Sequence, residues 1–298
     1  MMTGDRPGGD TMDIWRIDET SLEEREARVA DAARHLAAGS LVVVPTETVY
    51  GLAADATNGE AVARIYAAKG RPQFNPLISH VATRAMADAH GAFDEMAQRL
   101  ADRFWPGPLT LVVPKRATST ISDLATAGLD TVALRWPDSP VTCAVIDKLR
   151  RPIAAPSANR SGRRPVSYTH LTCRIGLEST IVACTGAEPM LLRPGGVPSD
   201  EIEAALGCPL ARTAGTGLGD PEKPAAPGML ASHSAPRALV PLNPPSAVPD
   251  AAPPPFGPAP PPGAAPALAA QNPPDLADPV AAAAPLPTPP PHLPHPPP

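Results

Sequence analysis

Apolar positions along the chain fall into short strand-like runs and longer helical stripes. Residues 41–44 form a four-residue apolar run that Pro45 ends, the pattern of a buried strand. Before it, Ser21 and Glu24 have capping-box spacing. Leu22, Val29 and Leu36 repeat at heptad spacing beside Ala32 and Ala33, predicting a helix that Gly39 ends. After it, Gly51 predicts a backbone turn. Ala61, Ile65 and Ala68 share one face of a second helix, capped by Thr57 or Asn58 and closed at Lys69-Gly70. A third helix is expected over about 91–104, with Phe93, Met96, Ala97, Leu100 and Phe104 on its stripe, broken at Trp105-Pro106-Gly107-Pro108. Residues 109–113 and 131–135 read as strands. Asp138 or Ser139 caps a helix with Pro140 in its first turn and Val141, Val145 and Leu149 facing inward. Residues 153–155 are short and apolar, and 179–183 with 190–193 form an expected hairpin. Ser199 is the expected cap of a last helix, with Ile202, Ala205 and Leu206 packed and Gly207 as its stop. Strands and helices mix without strict alternation, which predicts an α/β domain built on a twisted mixed sheet flanked by helices.

Composition sets the limits of that domain. The chain has 298 residues and 44 prolines, and 24 of those prolines fall in the 58 residues 241–298. Proline lacks the backbone donor that helices and sheets need, and Ala and Pro bury little apolar area. A disordered or polyproline-like tail is therefore expected over 241–298, after a linker at 208–240. The folded domain is expected over 21–207, behind a flexible segment 1–20. The net charge is −5; Asp250, Asp275 and Asp278 put about −3 of it in the tail and about −2 in the rest. A strong non-specific grip on nucleic acid is not expected from such a balance. Cys143, Cys173, Cys184 and Cys208 show no C-x-x-C spacing, which predicts reduced thiols in a cytoplasmic protein. No apolar run is long enough to cross a membrane, and no signal-peptide pattern opens the chain.

Candidate chemistry concentrates in residues 45–80. Thr46, Glu47, Thr48 and Tyr50 crowd the exit of the first strand, and Lys69, Arg71, Asn75 and His80 follow. Singly, each has an ordinary role: a helix cap, a strand-end hydroxyl, a structural histidine. Together they gather at element junctions, where sites collect. Lys and Arg suit a polyphosphate, with Arg the bidentate partner. No G-x-x-x-x-G-K-[ST] loop is present, so a Walker-type cradle is not expected.

The order of motifs carries more. PTET-VYGL, KGRP and NPL-I-SH are followed by Ala155-Pro156-Ser157-Ala158-Asn159-Arg160-Ser161-Gly162, Gly176-Leu177-Glu178-Ser179-Thr180-Ile181-Val182 and Leu192-Arg193-Pro194-Gly195. This series, over roughly 22–206, resembles the YrdC-like threonylcarbamoyl-AMP synthases of tRNA t6A modification. The resemblance implies a YrdC-like sheet around an open concave cavity. It implies a nucleotidyltransferase that joins L-threonine, bicarbonate and ATP into threonylcarbamoyl-AMP and pyrophosphate, with Mg2+ accompanying ATP. The expected partners are the downstream tRNA threonylcarbamoyl transferase machinery, at most a weak tRNA contact, and no membrane. By the same resemblance Thr48, His80, Arg135 and Ser179 bind threonine. Arg71, Asn75, Thr131, Ser157, Asn159 and Arg193 line the nucleotide, and Lys69 with Arg71 serves the phosphates and the transition state. Their ordinary readings are a surface ion pair for Arg135 and local turns for Ser157, Asn159 and Gly195-Gly196. Glu178 reads equally as a buried carboxylate or as a helper of Ser179-Thr180. No Asp/Glu cluster marks metal ligands.

Two departures accompany the resemblance. Only 13 residues, 163–175, separate Gly162 from Gly176, where relatives carry a longer stretch. Ala226-Pro227-Gly228-Met229, with His233 and Pro236, resembles the linker of the family's long form, whose second domain does not follow. The rival readings are a carbamoyl-adenylating carbamoyltransferase domain, an RNA-binding module and an inactive, damaged copy. Near-neutral charge and only three Trp, three Tyr and four Phe weigh against an RNA-stacking platform.

Overall fold

The computed structural model describes residues 21–158 and 173–212. Asn159, residues 163–172, the segment 1–20 and everything after 212 lie outside the described residues.

Helix α1 (Leu22–Ala37) begins with the expected capping box: Ser21 accepts from the Glu24 amide, and Glu24 reaches back to the Ser21 backbone. Val29, Ala32, Ala33 and Leu36 are buried, but Leu22 is 80% exposed, because the first turn projects past the core. Strand β1 (Val42–Val44) follows. Gly51 then opens a strand rather than a turn. Strand β2 (Gly51–Asp55) runs antiparallel to β1, with Val44 opposite Gly51. Its Leu-Ala-Ala core has weak strand preference, and pairing on both sides supplies what propensity lacks.

Asn58 caps helix α2 (Gly59–Lys69), accepting from the Glu60 and Ala61 amides, and Gly70 closes it at φ 58°. Strand β3 is Ile78–His80. Helix α3 (Arg84–His90), capped by Thr83, has no counterpart in the expected elements. The helix expected at about 91–104 starts later, as α4 (Glu95–Phe104), because Asp94 captures the Ala97 amide; Gly91 instead bridges to Lys115. Strands β4 (Leu109–Pro114) and β5 (Thr131–Arg135) match the expected runs. Ser139 caps α5 (Pro140–Leu149), and β6 (Ile153–Ala154), β7 (Thr180–Ala183) and β8 (Met190–Arg193) follow. The expected hairpin forms between β7 and β8, with a register shift at Ile181/Val182. The cap of α6 (Ser199–Leu206) is Pro198, so Ser199 is the first helical residue and not the cap. Strand β9 (Ala211–Arg212) lies beyond Gly207 and pairs parallel to β8.

The strands form one mixed sheet in the order β1-β2-β6-β3-β5-β4-β7-β8-β9. Helices α2, α4 and α6 pack with Leu109, Leu111, Val113 and Leu134 in one core. Helices α1 and α5 pack with Val44, Ala53, Ile153 and Ala155 in another. A third cluster, Ile78, Val112, Ala133, Ile181, Ala183 and Leu192, contains strand residues only. Alternation on β4 and β5 separates it from the first core: Val112 and Ala133 point one way, Leu111 and Leu134 the other. That strand-only face carries the site.

Candidate active site

The parallel pairing of β3 with β5 sets the frame. Ile78 lies opposite Ala133 and His80 opposite Arg135. On β5, period-two alternation puts Thr131, Ala133 and Arg135 on one face. Antiparallel β6 brings Ile153 opposite His80 and continues in the same register, the Ala155 amide donating to the Ile78 carbonyl, so Ala155, Pro156 and Ser157 run along β3 toward Asn75. A cleft follows this line. Its wall includes Thr46, Arg71, His80, Arg135, Ser157, Ser179 and Arg193.

One end is built around Arg135. The segment after β1 is tied to the start of α5, because the Pro45 carbonyl accepts from Ser139 Oγ (2.9 Å) and from Thr142 Oγ1. Thr46 Oγ1 donates to the Val49 carbonyl (2.6 Å) and accepts from the Thr48 and Val49 amides, forming a tight hydroxyl turn. Thr48 is fully buried behind it, with the two hydroxyl oxygens 2.9 Å apart. This turn delivers Glu47 to Arg135: Nη2 donates to Glu47 Oε1 at 2.6 Å, and Nε to the Gly107 carbonyl at 3.2 Å. Both side chains are buried, at 4% and 1% exposure. His80, also buried, stays neutral; burial, then the adjacent Arg135 cation, bring its pKa down to about 3. Its Nδ1 and Glu47 Oε2 have no hydrogen-bond partner among the described residues.

The other end is cationic. Lys69 Nζ donates to the Ser157 carbonyl. Arg71 donates from Nε to the Asn75 carbonyl (3.2 Å) and from Nη2 to Asn75 Oδ1 (2.6 Å) and the Pro76 carbonyl (3.0 Å). Tyr66 Oη braces the same loop through Asn75 and Leu124 carbonyls. Burial and then Arg71 lower the Lys69 ammonium to about 8, against an opposing pull from Glu178. Burial lowers Arg71 to about 10. Ser157 is held in place by an isolated bridge to Gly51.

Ser179 and Arg193 complete the wall. Arg193 donates from Nη2 to the Ser179 carbonyl (2.8 Å) and Ser179 Oγ (3.1 Å), and from Nη1 to Glu178 Oε2 (2.6 Å). Ser179 Oγ is 2.7 Å from Thr110 Oγ1. Glu178 is therefore the ion-pair partner that aims Arg193.

Six of the sequence-predicted residues line the cleft directly: Arg71, His80, Arg135, Ser157, Ser179 and Arg193. Thr48, Lys69 and Asn75 stand one contact behind it, through Thr46, Ser157 and Arg71 respectively. Thr131 does not line it; continuing the β3–β5 register places Thr131 level with Pro76, at the Arg71 end and on the Arg135 face. Asn159 lies outside the described residues. Sequence reasoning assigned no role to Glu47 or Thr110; Glu47 was visible in the polar cluster after β1, but nothing local pairs it with a residue 88 positions away. Among the described residues the four cysteines are free, no group of three or more His, Cys, Asp or Glu could hold a metal ion, and no helix is long and apolar enough to cross a membrane.

The chain is also similar to known proteins. The Sua5/YciO/YrdC family model, described as telomere recombination, matches residues 34–171. A threonylcarbamoyl-AMP synthase of Bacillus subtilis is 44% identical over 243 residues, covering 75% of this chain and 69% of that protein. The Pyrococcus abyssi threonylcarbamoyl-AMP synthase is 44% identical over 237 residues, 74% of this chain and 68% of that one. The crystal structure of P. abyssi Sua5 complexed with L-threonine superimposes with a TM-score of 0.67 at 42% identity, over 72% of this chain and 67% of that one. The chain thus spans about two thirds of the length of these relatives.

Proposed function

The chain belongs to the Sua5/YciO/YrdC family, and from that premise we propose that it is a threonylcarbamoyl-AMP synthase. The observation that carries this reading is the polarity of one cleft: Arg135 beside neutral His80 at one end and Arg71 at the other, with Lys69 behind Ser157 there, along the strand-only face. An amino acid and a polyphosphate make just those two demands. Arg135 Nη1, which neither of its protein bonds uses, is the partner for the threonine carboxylate. His80 and the Thr46–Thr48 hydroxyls supply neutral hydrogen bonds beside it, and Ser179 bounds the same end.

The reaction balances as two steps. The threonine ammonium and bicarbonate give the N-carboxylate (carbamate), water and a proton. A carbamate oxygen then attacks the α-phosphorus of ATP in line; the new O–P bond forms as the bond to pyrophosphate breaks. Positioning and charge neutralisation supply the acceleration. Lys69 and Arg71 meet the phosphates, Arg193 adds a third cation aimed by Glu178, and Ser157, Asn75 and Thr131 border the nucleotide. Asn159, two positions after Ser157 in the same sequence motif, is assigned to the nucleotide with them. Mg2+ comes with ATP as part of the substrate complex. The product is passed to a tRNA-modifying transferase, and the setting is the cytoplasm.

The test is pyrophosphate release by the full chain with ATP, Mg2+ and bicarbonate, with and without L-threonine. Threonine-dependent release is expected. Release that needs carbamoyl phosphate instead, or none from a protein that melts cooperatively, overturns the reading.

A further inference from the structure

We propose that Glu47 is a positioning residue that makes the Arg135 end of the cleft select an α-amino-acid zwitterion over a plain carboxylate. The inference rests on the reading of Arg135 as the carboxylate's partner and deepens it.

Three observations carry it. The first is that Glu47 acts on Arg135 directly. With Nε on the Gly107 carbonyl and Nη2 on Glu47 Oε1, the guanidinium cannot rotate, and its remaining nitrogen has one fixed direction. The second is the charge. Glu47 and Arg135 form an ion pair at 1% and 4% exposure, out of reach of solvent screening. A pocket built only to attract anions would keep Arg135 uncompensated. Glu47 cancels much of that attraction and adds the desolvation of its own charge. The arrangement makes sense if the ligand brings a cation along with its carboxylate. The third is Glu47 Oε2, which is buried and has no hydrogen-bond partner among the described residues. Buried acceptors are nearly always satisfied, so this oxygen marks a carboxylate whose charge Arg135 meets only in part and whose remaining field reaches a cation held beside Arg135.

A zwitterion answers all three. Its carboxylate takes the free side of Arg135, and its ammonium lies in the field of Glu47. The four charges then alternate and sum to zero. A carboxylate without an amine leaves one negative charge in excess in a dry site, and a dicarboxylate leaves two. The other charges felt at the pair are matched elsewhere, Arg174 by Asp138 and Arg193 by Glu178, while His80 is neutral and Ser79 and Thr48 are uncharged, which leaves Glu47 as the source of the compensating charge.

The test compares L-threonine with 3-hydroxybutanoate, the same skeleton without the amine, on wild type and Glu47→Gln. The readouts are the threonine KM, kcat, the ATP KM and the inhibition constant of the analogue in pyrophosphate release. In wild type, threonine should bind at least about tenfold more tightly than the analogue, as expected for a unit charge a few ångströms away in a partly screened site. In Glu47→Gln the threonine KM should rise at least about tenfold, more than kcat falls, with the ATP KM unchanged and the analogue bound equally or more tightly. Glu47→Asp, which keeps the charge, should retain the preference for threonine. Equal affinity for the two ligands in wild type overturns the inference, as does parallel weakening of both in Glu47→Gln, which is what a merely loosened Arg135 would produce. If Glu47→Gln does not fold, the wild-type and Glu47→Asp selectivities decide. Wild type without threonine-dependent release would instead fail the synthase reading itself.

Discussion

His80 and Arg135 are register partners on adjacent parallel strands, and the cation of one lies beside the imidazole of the other. Burial is the larger cause and Arg135 the second, and together they hold the His80 pKa near 3, against an ordinary value of 6.5. The consequence for stability has a definite sign. Below pH 6.5 the unfolded chain takes up a proton that folded His80 refuses until about pH 3. Folding stability therefore falls as pH drops through that window, by about 1.4 kcal/mol per pH unit from this group. His80→Gln should show a flatter decline. Denaturant midpoints of both proteins at pH 7.5, 6 and 5 measure it, and parallel curves would remove His80 as the source.

Lys69 gives the opposite limb of the pH profile. With its ammonium lowered to about 8, it loses charge just above neutrality. Because the ammonium is the form that meets phosphate, kcat/KM for ATP should fall above about pH 8. Stability behaves differently: between 8 and 10.5 the unfolded chain holds more protons, so this group makes the fold more stable as pH rises. Lys69→Arg should move the activity limb upward. Lys69→Ala and Arg71→Ala should each lower turnover at least about tenfold, and Arg71→Ala should also lower the melting temperature, because it strips three buried acceptors of the Asn75–Pro76 loop of their donor. Full activity in both alanine variants would show that the phosphate end has been misplaced.

Local chemistry made much of the fold legible. Ser21-Glu24, Asn58, Ser139, Gly70 and Gly207 act through bonds within a few residues, and each terminates a helix where the pattern indicated. The misses are tertiary. Residues 51–55 form a strand because β1 and β6 flank them, not because Gly-Leu-Ala-Ala-Asp prefers one. Helix α3 is only seven residues long and alanine-rich, without a wide apolar stripe, and its cap, Thr83, is one hydroxyl among many. The site divides in the same way. Lys69, Arg71 and Asn75 were legible as a local cluster, whereas Arg135, Ser157, Ser179 and Arg193 entered through the ordered motifs of a family. The Glu47–Arg135 pair had no signal at all, since 88 residues separate its members.

Thr131 separates register from proximity. It shares the face of Arg135 but stands level with Pro76, whose carbonyl holds Arg71. A hydroxyl there can serve only the nucleotide end. Thr131→Val should raise the ATP KM about two- to tenfold, the worth of one hydrogen bond, and leave the threonine KM unchanged. Equal effects on both substrates would argue that the strand itself had shifted.

Gly195 tests whether backbone contact positions the Arg193 wall. A Cβ at Gly195 would stand 2.3 Å from the Glu178 carbonyl oxygen and 2.6 Å from Ser179 C and Thr180 N. All three are main-chain atoms of the segment that carries Ser179 and leads into β7, so no side-chain rotation relieves the clash. The next residue fixes the same approach, because the Gly196 amide donates to the Glu178 carbonyl at 2.9 Å. Gly195→Ala must therefore push the 178–180 backbone away, and with it the Ser179 carbonyl that receives two Arg193 bonds. The expected cost is about 1–3 kcal/mol of stability, together with weaker binding of both substrates. Gly186, in the β7–β8 connection, is the control: a Cβ there meets nothing within 4 Å. Gly186→Ala should leave activity unchanged and the melting temperature equal or slightly higher, since it only restricts the unfolded chain. Thermal melts and initial rates on the two variants make the comparison, and a Gly195→Ala protein as stable and active as wild type would show that the Glu178–Thr180 backbone is free to move.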